Sequence, residues 1–254
     1  MTNLEITAVK VQSTLNKIVP KAMKRPRFAG IITAAGSGTR MGGISKQLMD
    51  LNGAPCLSYS LNAFQNTKEI SEIIVVGKKE ELDMIHKLAE DFHITKLTHI
   101  VAGGDTRQAS IYNGFSRVSK KCDYVAIHDA ARPLITSKQI SLLLQGAEKF
   151  GAACAAKKMS DTVKRSAKND MIAETVPRDD LFTVQTPQVF NCDIYRVSLA
   201  LAERDEICVT DDCALVEHAG FPIKLIEIGG ANFKLTTLED VEIITSILKE
   251  RNHG

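Results

Sequence analysis

Short strand-like runs alternate along the chain with longer stretches in which apolar residues return every three or four positions. The runs predict strands over 28–34, 72–77, 97–101, 123–128 and 152–157. Helical spacing fills the intervals at 55–66, 79–91, 107–118 and 137–150, marked by Leu57, Leu61 and Phe64, and by Leu142, Leu143 and Ala147. Strand-helix alternation of this kind is the pattern of an α/β fold, a mostly parallel twisted sheet with helices on both faces. Near the C-terminus, Thr237-Leu238-Glu239-Asp240 reads as a capping box ahead of Val241, Ile244, Ile247 and Leu248. Two regions break the rhythm. Residues 1–27 end in the basic, helix-breaking stretch Pro20, Lys21, Lys24, Arg25, Pro26 and read as an extension with a short helix near 8–18. Residues 158–190 carry short alternating segments (Thr162-Val163-Lys164, Met171-Ile172-Ala173, Thr183-Val184-Gln185) and read as extended arms. Arms that project from a sheet commonly pair with a second subunit, so a homodimer is expected.

Composition changes this picture little. The 254 residues suit one large domain, 28–254, with a small appendage, and 32 basic against 30 acidic residues give no preference for nucleic acid or membrane. Six cysteines are scattered without a C-x-x-C pair, and neither a signal peptide nor a membrane-length apolar run is present. The expectation is a cytoplasmic protein with buried thiols and no zinc site.

Candidate chemistry gathers in three loops, each following a proposed strand. In the first, Ile31-Ile32-Thr33-Ala34-Ala35 breaks into Gly36-Ser37-Gly38-Thr39-Arg40-Met41, with Lys46-Gln47 beyond. Glycine at 36 and 38 allows positive φ and close approach of amide N–H groups to phosphate oxygens, while Arg40 and Lys46 supply the charge a polyanion requires. A dinucleotide fingerprint does not fit, since Met41 stands where the third glycine belongs and Ile73-Ile74-Val75-Val76-Gly77 ends without an acid. A Walker A loop is excluded because no Gly-Lys-Ser/Thr follows. The second loop, Gly103-Gly104-Asp105-Thr106-Arg107-Gln108-Ala109-Ser110, either approaches a base or ribose or is a turn capped by Asp105 or Thr106. In the third, His128-Asp129-Ala130-Ala131-Arg132-Pro133 puts a carboxylate and a guanidinium past the end of a buried strand, where open α/β sheets bind ligands. Asp129 suits Mg²⁺ or a nucleotide hydroxyl; alternatively it caps the 137–150 helix or pairs with Arg132, which otherwise shapes the loop. His128 reads as a packed neighbour rather than a general base.

These segments, together with Asp161-Thr162-Val163-Lys164, Gln185-Thr186-Pro187-Gln188-Val189-Phe190, Thr210-Asp211-Asp212 and Asn232-Phe233-Lys234-Leu235-Thr236, resemble in order the motif set of the 2-C-methyl-D-erythritol 4-phosphate cytidylyltransferases, from about 28 to 250. The resemblance implies a Rossmann-like, GT-A-like nucleotidyltransferase domain with a protruding β-arm, a homodimer, and Mg²⁺ dependence. It also implies CMP transfer from CTP to a polyol phosphate in non-mevalonate isoprenoid synthesis. By the same resemblance Arg40 and Lys46 are the transition-state stabilisers. Nucleotide contacts fall on Ala34, Ala35, Gly36 and Gly38, on Gly104, Asp105 and Ser110 around cytosine, and on Asp129 and Ala130 near ribose and metal. Arg178 and Lys234 are implied to position the acceptor phosphate, with Thr162 and Thr210 available to bond the polyol or phosphate; Thr162 and Arg178 come from the partner subunit's arm. Asp211 and Asp212 read instead as caps of a helix over 211–219. This chain departs from the pattern at Ser45, where members show proline, in an Arg40–Lys46 segment one residue short, and at Phe182, where members show tryptophan. Two rival readings remain: a ribitol 5-phosphate cytidylyltransferase, and a non-catalytic nucleotide-sensing module on the same fold.

Overall fold

A computed structural model describes residues 25–36 and 45–253, so the helix expected near 8–18, Gly38 and Arg40 lie outside the described residues. The chain begins with strand β1 (Phe28–Ala34), the short hairpin β2 (Asp50–Leu51) and β3 (Ala54–Pro55), helix α1 (Cys56–Gln65), β4 (Ile70–Gly77) and α2 (Leu82–Asp91). There follow β5 (Leu97–Ala102), α3 (Arg107–Phe115), β6 (Tyr124–Asp129), α4 (Ser137–Phe150) and β7 (Ala152–Lys158). An antiparallel pair, β8 (Val163–Ser166) and β9 (Ile172–Val176), precedes β10 (Phe182–Asn191), α5 (Cys192–Arg204), α6 (Asp212–His218), β11 (Lys224–Glu227) and α7 (Leu238–His253).

Seven strands form the central sheet in the order β11-β7-β10-β6-β1-β4-β5. All neighbours run parallel except β10, which is antiparallel to both β6 and β7. Alternation along each strand divides the core. Ile32 and Val75 face α1, α2 and α4 on one side, whereas Ile31 and Val76 face α3, α5 and α6 on the other. From β1 the chain moves outward to β4 and β5, then returns to lay β6 on the opposite side of β1. That reversal opens a crevice beyond the carboxyl ends of β1 and β6, the usual ligand position in such sheets. A third apolar cluster (Leu51, Cys56, Leu134, Leu235, Ile244, Leu248) ties α7 to the β2–β3 hairpin and fixes the segment before α7 at the mouth of this crevice.

The expected arm is shorter than 158–190. The β8–β9 hairpin is almost wholly exposed, but Thr183-Val184-Gln185 lies in β10, inside the central sheet. Pro187 masked that assignment, since proline removes a ladder donor and argues against a central strand. It is accommodated because the β10–β7 register breaks between Val184 and Gln188. At α7 the acidic half of the expected box forms: Asp240 Oδ2 accepts from the N–H groups of Thr236 and Thr237 at 2.7 and 2.8 Å. Burial would raise the Asp240 carboxyl, but these bonds and one from the Thr236 hydroxyl hold it below its ordinary value. No helix among the described residues is long and apolar enough to cross a membrane.

Candidate active site

A cavity of about 430 Å³ occupies the crevice. Thr33 and Ala34 at the end of β1 continue into Ala35 and Gly36; Gly104 to Arg107 enter from the β5–α3 loop, Asp129 from β6, Lys46 and Gln47 from a 3₁₀ turn, and Lys234 to Thr236 from the segment before α7. Two glycines explain the close seating of the first two walls. A Cβ on Gly103 would lie 2.6 Å from the Ala35 methyl, and one on Gly104 2.7 Å from that of Ala109. Gly36 has open space beside its Cα and does not take the positive φ expected of it. Of the two caps considered for α3, Thr106 serves, its side chain accepting from Ala109 N–H at 3.0 Å. Ser110 Oγ accepts from Gly104 N–H at 3.0 Å and so pins the glycine loop to the helix that follows.

Asp129 is the electrostatic centre. Lys234 Nζ donates to its Oδ2 at 2.6 Å, the Thr33 hydroxyl lies 3.3 Å from Oδ1, and an Arg107 nitrogen stands 4.0 Å from the same oxygen. Burial alone would raise this carboxyl, but Lys234 first, then Arg107 and Arg132, bring it down to about 2. It is therefore ionised throughout the physiological range. The helix-capping alternative is displaced, because Thr136 caps α4 in a box with Gln139. Arg132 spends its guanidinium on the loop, donating to the Asn232 carbonyl at 2.7 Å.

His128 is fully buried and committed. A backbone carbonyl only accepts, so Nε2 carries the proton and donates to Arg132 C=O at 3.2 Å. Nδ1 then accepts from the Thr186 hydroxyl at 3.2 Å, and Thr186 Oγ1 accepts from the Asp129 N–H at 3.0 Å. Complete burial pushes its pKa from 6.5 down to about 4. The unfolded chain takes up this proton below 6.5 while the folded chain resists, so the stability held by neutral His128 is intact above 6.5. It is lost as pH falls from there to about 4. Unfolding free energies from urea titrations across this window are expected to show an extra slope approaching ~1.4 kcal/mol per pH unit. His128→Gln removes it; the same slope in the variant would assign the acid limb elsewhere.

Of the residues singled out in the sequence, Ala34, Ala35, Gly36, Lys46, Gly104, Asp105, Ser110, Asp129 and Lys234 converge on the cavity. Ala130 does not. Its methyl lies in the core, its N–H donates to Thr33 C=O at 3.0 Å, and its carbonyl accepts from the Cys56 thiol at 3.4 Å. Thr162, Arg178 and Thr210 lie exposed outside it, with Arg178 donating to the carbonyl of Ser160 on its own arm. Asp211 caps α6, accepting from Ala214 N–H at 3.1 Å. Asp212 is no cap: it is buried and accepts from Arg107 at 2.7 Å and from the Tyr195 hydroxyl at 2.6 Å. Arg107 and Thr236 are lining residues to which no role had been given. Thr236 contributes its carbonyl, which accepts from Lys46 Nζ at 3.0 Å.

Among the described residues no group of three or more His, Cys, Asp or Glu side chains could hold a metal ion. A single carboxylate fits Mg²⁺ that arrives with phosphate oxygens as its other ligands, not a closed protein cage. Three cations, Lys46, Arg107 and Lys234, line the cavity against two carboxylates, Asp129 and Asp105, a distribution suited to a polyphosphate and its counter-ion.

A family model described as 2-C-methyl-D-erythritol 4-phosphate cytidylyltransferase matches residues 28–250. The chain is 36% identical over 225 residues to the protein of that name from Halalkalibacterium halodurans, covering 88% of this chain and 98% of the relative. Its identity to the one from Clostridium novyi is 40% over 221 residues, covering 86% and 95% respectively. Among solved structures it is similar to the 4-diphosphocytidyl-2C-methyl-D-erythritol synthase of Anaerococcus prevotii, with a TM-score of 0.79, 28% identity, and coverage of 88% and 96%. The 2-C-methyl-D-erythritol 4-phosphate cytidylyltransferase of Thermus thermophilus superposes with a TM-score of 0.72 at 26% identity, covering 88% and 99%.

Proposed function

The chain belongs to the 2-C-methyl-D-erythritol 4-phosphate cytidylyltransferase family, and from that premise we propose that the cavity transfers CMP from CTP to 2-C-methyl-D-erythritol 4-phosphate. The products are 4-diphosphocytidyl-2-C-methyl-D-erythritol and pyrophosphate, within non-mevalonate isoprenoid synthesis. An oxygen of the acceptor phosphate forms a bond to the α-phosphorus of CTP as the bond to pyrophosphate breaks in line. A phosphate monoester is already ionised near neutral pH, so no general base is required, in keeping with a His128 that is buried and fully bonded.

The protein's task is then positioning and electrostatic stabilisation. Arg40 and Lys46 offset negative charge on the equatorial oxygens and the leaving pyrophosphate. Ala34 to Gly36 and Gly38 follow the triphosphate, Gly104, Asp105 and Ser110 hold the cytosine, and Asp129 lies at the ribose and metal. Asp129 would hold a Mg²⁺ arriving with the triphosphate, which would neutralise part of its charge. Lys234 and Thr210, with the partner's Thr162 and the partner's Arg178, orient the acceptor phosphate. What supports this reading most is the convergence of four segments far apart in sequence, around Ala34, Gly104, Asp129 and Lys234, on one cavity.

Pyrophosphate release from CTP and Mg²⁺ tests it. Turnover is expected with methylerythritol 4-phosphate and not with ribitol 5-phosphate; preference for ribitol phosphate would change the acceptor, and release with neither would leave only nucleotide binding. The β8–β9 hairpin is the proposed dimer contact, motivated by the exposure of Met171 and Ile172 and by Thr162 and Arg178 standing outside the lining of their own cavity. Sedimentation of the active enzyme should give a dimer; full turnover by a monomer would end the idea of a shared site. Free thiols at all six cysteines, five of them buried, accord with residence in a reducing cytoplasm.

A further inference from the structure

Outside the cavity, Asp212 is a buried carboxylate bonded to a cavity-lining cation. Its side chain is 1% exposed, and its two oxygens are taken separately, Oδ2 by Arg107 at 2.7 Å and Oδ1 by the Tyr195 hydroxyl at 2.6 Å. Both partners are held. Tyr195 is fully buried, stacked on Phe190 at 5.3 Å and edge-on to Phe115 at 4.9 Å. The Asp212 backbone is fixed by Gln188, whose Oε1 accepts from the N–H groups of Asp212 and Cys213 at 3.1 Å. Gln188 sits on β10, so the carboxylate is anchored to the central sheet as well as to α6.

A buried ion pair is a poor source of net stability, because the desolvation it costs rivals the attraction it gains. Its geometry is informative here. Arg107 is the first residue of α3, directly after the Gly104–Thr106 loop, and its guanidinium lies between two carboxylates: Asp212 at 2.7 Å and Asp129 at 4.0 Å. The nearer one holds it off the farther one. With Arg107 so restrained, Asp129 Oδ1 makes its one close contact to the weak Thr33 hydroxyl, at 3.3 Å.

We propose that Asp212 is a positioning residue for nucleotide binding: by tethering Arg107 it keeps that cation from closing on Asp129 and fixes the glycine loop at the start of α3. The inference rests on the cytidylyltransferase reading of the cavity. With the tether cut, Arg107 has Asp129 as its remaining acidic neighbour and engages the oxygen that the nucleotide and its metal must reach. The penalty falls on binding, not on the chemical step.

Asp212→Asn is nearly isosteric and leaves a carbonyl for the Tyr195 hydroxyl. Its KM for CTP is expected to rise about tenfold, the scale of one charge-assisted hydrogen bond, with kcat within about threefold of the parent. Because Asp212 acts through Arg107, the same substitution in an Arg107→Met background should change KM for CTP by less than about twofold, a non-additivity that a general loss of stability does not produce. Tyr195→Phe, which removes only the bond to Oδ1, should shift KM the same way by about two- to threefold and serves if Asp212→Asn does not fold. An unchanged KM for CTP in Asp212→Asn, or in Tyr195→Phe where it stands in, overturns the inference. So do effects of Asp212→Asn and Arg107→Met that multiply. A parent enzyme inactive with CTP and methylerythritol phosphate overturns the reading of the cavity and the inference together.

Discussion

Lys46→Ala is expected to lower kcat and kcat/KM together by about 10²–10³, the effect of removing one donor aimed at charge that develops in the transition state. Lys46 sits on a turn anchored on both sides. Gln47, the next residue, is buried and donates to Glu81 at 3.1 Å, and Leu48 packs on the core. The ammonium donates to the Thr236 carbonyl at 3.0 Å, which holds the side chain across the mouth of the cavity. Since the side chain is only partly buried, its loss should leave the unfolding midpoint nearly unchanged. Steady-state kinetics with CTP and methylerythritol phosphate decide the matter. A raised KM with intact kcat would make Lys46 a ground-state anchor, and full activity would remove it from the mechanism.

Asp129→Asn should be more damaging still, because the carboxylate serves the ligand and the fold at once. Activity is expected below about 1% of the parent, since a neutral amide cannot replace an anion as a ligand for a hard divalent cation. Stability should fall as well. Lys234 and Arg107 would face each other without the charge now between them, and breaking a buried pair by removing one partner costs roughly 3–5 kcal/mol. The low end applies, because the Lys234 side chain is 43% exposed. The pH dependence has a definite sign. With the carboxyl held at about 2 against an ordinary 3.8, the stabilisation is complete above the ordinary value and disappears as pH falls through it toward 2. The variant should therefore lose the part of the acid limb that lies below the His128 window. Near-parental activity would reduce Asp129 to a structural ion pair.

Much of the architecture was legible because buried parallel strands are continuous apolar runs. Ile31-Ile32 and Ile73-Ile74-Val75-Val76 have a side chain on each face of the sheet and leave little ambiguity. Where polar residues sit inside, reading failed. β10 carries Gln185, Thr186 and Gln188, which look like surface residues until their partners appear: Asn232 on Gln185 at 2.9 Å, Asp129 N–H on Thr186, and α6 on Gln188. Helix α5 did have a signal, an Asn191 cap ahead of Ile194, Tyr195, Leu199 and Ala202 at helical spacing, and it was passed over. The lining residues found in sequence were those next to glycines or at the end of an apolar run. Asp212 was missed for a physical reason: adjacent acids before a helix look alike in sequence. Only the third dimension shows that Asp211 caps α6 while Asp212 turns inward to Arg107.

The segment from Asn232 to Asp240 has a temporal consequence. It receives Arg132 and Lys46 on its carbonyls, sends Lys234 to Asp129 and Leu235 into the cluster formed with α7, and donates its own amides to Asp240. Contacts of such sequence separation close late, because the loops they seal carry the largest entropic cost. During synthesis these bonds can form only after residues 232–240 have left the ribosome. The sheet strands that precede are already made by then, so a chain cut near residue 230 would lack the carbonyl partners of Lys46 and Arg132 and the Lys234 partner of Asp129. The walls of the cavity are thus completed only once residues 232–240 have emerged.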